Sequence, residues 1–152
     1  MASIPKNFVG NQSGFYTRDD GAAPWAYDGT TMVYQGYGPV SSFSSGNVAN
    51  ATAAATIPAT ASRLSYITGF EVTGAGATVG SVVSLTITGL LGGTATYSVA
   101  APTGATVGLT PLTIEFNPPL PASAVNTAIV VSLPALGAGN TNAAVVAHGF
   151  SL

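Results

Sequence analysis

Charged side chains are scarce in this sequence: three Lys or Arg and five Asp or Glu stand among 152 residues. The charged fraction is 5%, whereas soluble domains usually carry roughly 25%. Three cations cannot form the basic stripe that nucleic-acid binding requires, or the polybasic cluster that docks a protein on an anionic membrane. We therefore expect neither nucleic acid nor a membrane among the partners.

Cysteine is absent, and histidine occurs once. The first absence excludes a disulfide framework and a thiolate metal site. Gly, Thr, Ser or Pro interrupts every apolar run well before the ~20 residues that a membrane-spanning helix needs. The first residues also lack the apolar segment of a secretory signal. Hydroxyl and amide side chains are thus expected to provide the solubility of a non-membrane protein.

Aromatic side chains are concentrated near the start, where eight of the thirteen lie before residue 45. This stretch is broken by many glycines and prolines and keeps no sustained period of 3.6 or 2. We predict an extended, mostly irregular N-terminal arm over residues 1–45 and a β-sandwich domain over residues 46–152. Disordered tails are normally poor in aromatic residues, so these side chains should be buried against the chain itself or a partner.

Large aromatic side chains with polar tips are typical of interface anchors. They make the arm the candidate partner-binding segment, and three interpretations stay open. The side chains pack on their own sandwich, grip a protein partner or neighbouring subunit, or stack on sugar rings. The candidate residues are Phe8, Phe15, Tyr16, Trp25, Tyr27, Tyr34 and Tyr37.

Beyond the arm, apolar residues alternate with polar ones in short runs separated by Gly, Pro and Asn. Residues 41–58 are interpreted as a connector or a weak first strand. Six or seven short strands predict an all-β fold, an antiparallel β-sandwich. The predicted apolar faces are Leu64, Tyr66, Phe70 and Val72, then Val83, Leu85 and Ile87, then Ala95, Tyr97 and Val99, then Leu112, Ile114 and Phe116 with a stop at Asn117-Pro118-Pro119, and finally Ile129, Val131 and Leu133.

The opposite faces of these strands carry almost no charge. Their residues are mainly Ser and Thr, as in Ser84, Thr86 and Thr88 or Thr94, Thr96 and Ser98. Free antiparallel sheets usually protect their surfaces and edges with Lys and Glu. Either neighbouring subunits cover these faces, since charge depletion marks interface cores, or ladders of hydroxyl groups hydrate them.

The residues that catalysis would need are few. His148 is the only histidine and lies next to the end of a predicted strand, so any Ser-His-acid set must use it. Glu71 and Glu115 are the only carboxylates of the sandwich, and a structural ion pair with Arg63 explains them more simply than a catalytic dyad. The Asp-Gly pairs at Asp20 and Asp28 are ordinary turn formers. We expect no enzyme activity, no metal and no cofactor.

Four segments together resemble small structural proteins of tailed bacteriophages. They are Arg63 to Gly74 (RLSYITGFEVTG), Leu85 to Gly93 (LTITGLLGG), Phe116 to Pro121 (FNPPLP) and Ala147 to Phe150 (AHGF). The similarity covers roughly residues 60 to 150. In sequence texture and strand order, the chain most resembles the capsid decoration, or cement, proteins. It does not extend to the arm.

The resemblance implies a β-sandwich of jelly-roll type that forms a homo-oligomer, commonly a trimer. Such proteins are made in the host cytoplasm, sit on the outer capsid surface of the virion, and clamp neighbouring copies of the major capsid protein. They have no active site and no cofactor. The alternative is a glycan- or receptor-binding module of a tail fibre or adhesin that uses the aromatic residues of the arm.

Overall fold

The computed structural model describes the backbone at residues 15–16, 25–27 and 32–34 and the whole of residues 40–152. The chain divides into two compact units, Met1–Tyr37 and Gly38–Leu152. The first contains a three-stranded antiparallel sheet of β1 (Phe15–Tyr16), β2 (Trp25–Tyr27) and β3 (Met32–Tyr34), in that order.

The second unit contains eight strands and, in its described residues, no helix. This confirms the predicted all-β sandwich. The strands are β4 (Ser41–Ser44), β5 (Ala53–Ile57), β6 (Ser65–Ala75), β7 (Ser81–Leu90), β8 (Gly93–Ala101), β9 (Leu112–Pro121), β10 (Ile129–Leu133) and β11 (Asn142–Ser151).

The eight strands form two antiparallel four-stranded sheets, which we call the neutral sheet and the acidic sheet. The neutral sheet has the order β5-β10-β7-β8, and the acidic sheet has the order β4-β11-β6-β9. The chain passes from one sheet to the other at every connection except the β7–β8 hairpin. Strand neighbours are therefore mostly distant in sequence, and the pairing of β4 with β11 joins the two ends of the unit.

The core lies between the two sheets and is built from the alternating positions of their strands. Leu85 and Ile87 of β7 and Val131 of β10 are completely buried, as is Phe70 of β6. The ring of Phe70 contacts Tyr97 edge-on at 5.5 Å between ring centroids. The predicted core faces of β7, β8 and β10 are confirmed. Every second residue of these strands is apolar, and the sheet face that these residues form is buried against the other sheet.

One predicted face of β6 is wrong in part. Tyr66 was expected beside Phe70 and Val72, but it is only half-buried, whereas Ile67 is fully buried. The reason is a register shift between Ile67 and Gly69 against both neighbouring strands. A β-bulge inserts one extra residue into the strand, so the alternation shifts by one position. Odd-numbered residues face the core before the bulge, and even-numbered residues face it afterwards.

The predicted stop at Asn117-Pro118-Pro119 is also wrong, because β9 continues to Pro121. β9 is the last strand of its sheet, and an edge strand tolerates proline because it need not donate on its outer side. At the start of the sandwich, the predicted boundary lies between residues 45 and 46. Strand β4 precedes that point and pairs with β11, so Ser41–Ser44 belong to the acidic sheet.

Candidate functional site

The outer faces of the two sheets differ in charge. The strands from β4 onward contain only two carboxylates, Glu71 and Glu115, and both are exposed on the acidic sheet. His148 lies on the same face, half-buried in β11. The only cation of this unit, Arg63, lies outside the strands, in the connection before β6. The ionisable Glu and His side chains are thus confined to one side of the sandwich.

The outer face of the neutral sheet carries no ionisable side chain. Its rows follow the strand register: Thr56, Val130 and Thr88 lie opposite one another, and so do Thr86 and Thr96. Val82 is 71% exposed. The complete face consists of Ala54, Thr56, Val82, Ser84, Thr86, Thr88, Thr94, Thr96, Ser98, Ala100, Val130 and Ser132. The sequence predicted this pattern for β7, β8 and β10, and the fold places the three strands side by side.

On the acidic sheet, three strands bring the polar groups together. His148 of β11 lies directly opposite Gly69 of β6 on one side and Ser42 of β4 on the other. The Nε2 atom of His148 is 3.8 Å from Oε1 of Glu71, and its Nδ1 atom shares a 2.9 Å hydrogen bond with Oγ of Ser42. Glu115 of β9 is the other partner of Gly69.

Gly69, Glu71, Glu115 and His148, but not Ser42, line a shallow groove of about 450 Å³. Glu71, Glu115 and His148 are its ionisable side chains, and Phe116 and Val40 provide apolar walls. Gly69 forms the floor, where a Cβ atom would lie 2.6 Å from the carbonyl oxygen of Ile114. The groove depends on that glycine, because any larger residue would push β9 away from β6.

The predicted ion pair joins Arg63 to either Glu71 or Glu115, and the contact of Glu71 is a different one. Glu71 lies beside His148 instead, while the backbone of Arg63 bonds to Thr60 and Asn126. Ser42 is a residue that sequence reasoning missed. It reaches His148 only because β4 and β11 pair across 106 residues of sequence, and no local motif indicates such a contact.

The Ser42, His148 and Glu71 side chains do not form the hydrogen-bonded chain of a Ser-His-acid triad. In such a triad the acid accepts a hydrogen bond from the ring nitrogen that faces away from the serine. The 3.8 Å separation between His148 and Glu71 exceeds hydrogen-bond distance. The side chain of Glu71 is 54% exposed, so water competes for the same carboxylate.

Within residues 40–152, no three His, Asp or Glu side chains come close enough to hold a metal ion. The Asp-Gly pairs at Asp20 and Asp28 lie outside the described residues. The described part of the chain also has no helix long and apolar enough to cross a membrane.

Of the seven predicted partner-binding residues, Phe8 and Tyr37 lie outside the described residues. The other five lie in the three-stranded sheet, where only the backbone is described: Phe15 and Tyr16 in β1, Trp25 and Tyr27 in β2, and Tyr34 in β3. The register places Tyr16 opposite Trp25 and Trp25 opposite Tyr34. Three of the predicted aromatic residues thus occupy one row across the sheet, and their binding role stays a prediction.

The chain matches no protein-family model, and no curated protein or solved structure is significantly similar to it.

Proposed function

We propose that this chain is a non-enzymatic structural protein of a virion, a decoration protein that binds the outside of a phage head. In this proposal it stabilises contacts between subunits of the major capsid protein. The observation that carries it is the outer face of the neutral sheet, which spans four strands without one ionisable side chain. A surface of that kind is typical of the covered part of a protein interface.

We further propose that the sandwich is a jelly roll. A jelly roll arranges eight strands in two four-stranded sheets through two Greek keys, and it is common in viral capsid domains. The strand orders β5-β10-β7-β8 and β4-β11-β6-β9 support this, as does the alternation of the chain between the sheets. The phage-like segments around Arg63, Leu85, Phe116 and Ala147 support the same proposal from the sequence.

The proposed roles of the two units differ. The neutral sheet is covered by neighbouring subunits of the virion, and the aromatic arm reaches over the capsid lattice. Hydroxyl groups on the neutral face, such as those of Ser84 and Thr88, then lie against protein. A lysine there would lose its hydration when the face is covered, which costs far more than the loss of a hydroxyl contact.

The experiment adds two lysines to this face in the full chain, as Ser84→Lys with Thr88→Lys. Both positions are exposed, so the variant should fold. We expect its affinity for undecorated heads of the encoding phage to fall roughly tenfold or more, about 1.4 kcal/mol or above. The matched control is Thr73→Lys with Thr113→Lys, at exposed positions on the acidic sheet. Unchanged binding by the neutral-sheet variant contradicts the proposed contact.

A glycan- or receptor-binding module of a fibre or adhesin is the second candidate. It is favoured by the row of Tyr16, Trp25 and Tyr34 in the first unit, since aromatic residues are the usual platforms for sugar rings and partner anchors. It predicts that a soluble glycan changes the fluorescence of Trp25, the single tryptophan of the chain. No response across a glycan panel, together with tight binding to heads, would remove this candidate.

A further inference from the structure

The four edge strands of the sandwich are β5 and β8 in the neutral sheet and β4 and β9 in the acidic sheet. An edge strand presents unpaired N–H and C=O groups, and proteins shield such edges by short length, charge or proline. β4 has four residues, and β5 has five before Pro58. β9 carries Glu115 and three prolines. Each of these three edges is shielded.

β8 is different, because it has nine residues with no charge and no proline. Within the described residues its pairing is with β7 alone. The register with β7 is regular from Ala95 to Ala101, and the irregularity lies at the hairpin end. Among the described residues, β8 is therefore a long edge with regular pairing and no charge or proline to shield it, the kind that accepts another strand.

The side chains of β8 specify the strand that fits beside it. Ala95 and Tyr97 point inward and are half-buried at the open side of the core. Thr96 and Ser98 are exposed on the uncharged outer face. An added strand needs small or aromatic apolar residues on its inner side and uncharged residues on its outer side. β8 itself has that pattern.

We propose that β8 pairs antiparallel with β8 of a second copy of this chain, about a two-fold axis near Tyr97. In that register Thr96 faces Ser98 of the partner subunit, and Ala95 faces Val99 of the partner subunit. The faces match because antiparallel pairing about a central residue keeps inner positions opposite inner positions. No like charges meet, since β8 has none. The two neutral sheets then form one eight-stranded sheet.

This inference does not rest on the capsid proposal, because it concerns the free chain. A two-fold contact is self-complementary and gives a dimer. The trimer that the phage resemblance implies would need a different, head-to-tail contact. The mass of the free chain therefore separates the two arrangements.

The test uses three versions of the full chain in sedimentation velocity. The wild type is expected to be a dimer at micromolar concentration. A lysine variant, Thr96→Lys with Ser98→Lys, and a glutamate variant, Thr96→Glu with Ser98→Glu, place like charges directly opposite each other. Each should weaken the dimer roughly tenfold or more. An equimolar mixture of the two variants places opposite charges together and should restore the dimer.

The control for the outer face is Ser84→Lys with Thr88→Lys, which adds the same charges one strand further in, on β7, and should leave the dimer intact. Circular dichroism confirms that each variant is folded. A monomeric or trimeric wild type overturns the inference, and so does a mixture that fails to pair. Dimer loss in the β7 variant with none in the β8 variants would also overturn it. Head binding, measured separately, decides the capsid proposal.

Discussion

His148 and Glu71 lie on neighbouring strands of the acidic sheet with 3.8 Å between Nε2 and Oε1. Ser42 is hydrogen-bonded to the other ring nitrogen, so the three side chains have the composition of a hydrolase triad without its hydrogen-bonded geometry. Their exposure leaves each group in contact with water. The arrangement is best explained as the polar surface of a sheet, beside a shallow groove.

The first prediction concerns this cluster. The Ser42→Ala and His148→Ala variants should hydrolyse an activated ester no more slowly than the wild type. We expect all three proteins to give only the uncatalysed rate of hydrolysis. Both variants should lose less than about 1 kcal/mol of stability in urea denaturation, since exposed polar contacts contribute little. A rate that falls by two orders of magnitude in both variants would instead identify a catalytic serine and histidine.

The second prediction concerns Asn140, a polar side chain that is 2% exposed. Its Oδ1 atom accepts from the backbone N–H of Leu136 at 3.1 Å, and its Nδ2 atom donates to the carbonyl of Val48 at 3.1 Å. Asn140→Ala leaves the N–H of Leu136 without a partner, whereas the carbonyl of Val48 keeps its hydrogen bond from the N–H of Ala143. The variant should lower the free energy of unfolding by about 1–3 kcal/mol.

The control for Asn140 is Asn142→Ala. Asn142 is exposed, and its Oδ1 atom accepts a 2.7 Å hydrogen bond from Asn47, a contact that water replaces. This variant should lose less than about 1 kcal/mol. Equal losses in the two variants would mean that the loop of Asn140 does not hold the β4–β5 connection in place.

The third prediction compares two glycines of the β7–β8 hairpin. Gly89 has a φ of +84°, and a Cβ atom there would meet the carbonyl oxygen of Ala128. Gly92 has open space around the same position. Gly89→Ala should destabilise the protein by about 1–3 kcal/mol, while Gly92→Ala should change stability by less than about 0.5 kcal/mol. Thermal unfolding followed by circular dichroism distinguishes them, and equal midpoints would contradict the hairpin geometry.

The sequence predicted much of the sandwich because its strands alternate cleanly. Val83, Leu85 and Ile87 lie in the core as their period requires. The buried face of β6 is harder to predict from the sequence. A bulge between Ile67 and Gly69 shifts which alternate residues face the core, and no local sequence pattern indicates it. The prolines of β9 predict an early end of the strand, because only the sheet order shows that β9 is an edge strand, where proline is tolerated.

The contacts among Ser42, Glu71 and His148 were likewise not predictable from the sequence. Glu71 and His148 were recognised as the few candidates for chemistry, but their contact depends on the pairing of β6 with β11. Ser42 lies more than 100 residues from His148 in sequence, and β4 was interpreted only as a weak first strand. Pairings of this range follow from the packing of the whole domain and not from any local pattern.

The fourth prediction concerns the aromatic row of the first unit. Trp25→Ala with Tyr34→Ala, in the full chain, should weaken binding to heads by tenfold or more if these residues anchor the interface, since aromatic anchors often contribute about 2 kcal/mol or more. Deletion of residues 1–37 should do the same while leaving the β spectrum of the sandwich, because β4 begins at Ser41. The control is Val33→Ala, since Val33 lies opposite Ala26 and not in this row. Full binding by the truncated chain would contradict a role of the arm.

The proposed function is tested most directly by mixing the full chain with undecorated heads of the encoding phage and measuring co-sedimentation over a range of concentrations. We predict saturable binding to the outside of the head, with a fixed number of chains per capsid and a higher melting temperature of the decorated shell. A chain that stays in the supernatant at every concentration, with shells that melt unchanged, would contradict the proposal that this protein is a capsid decoration protein.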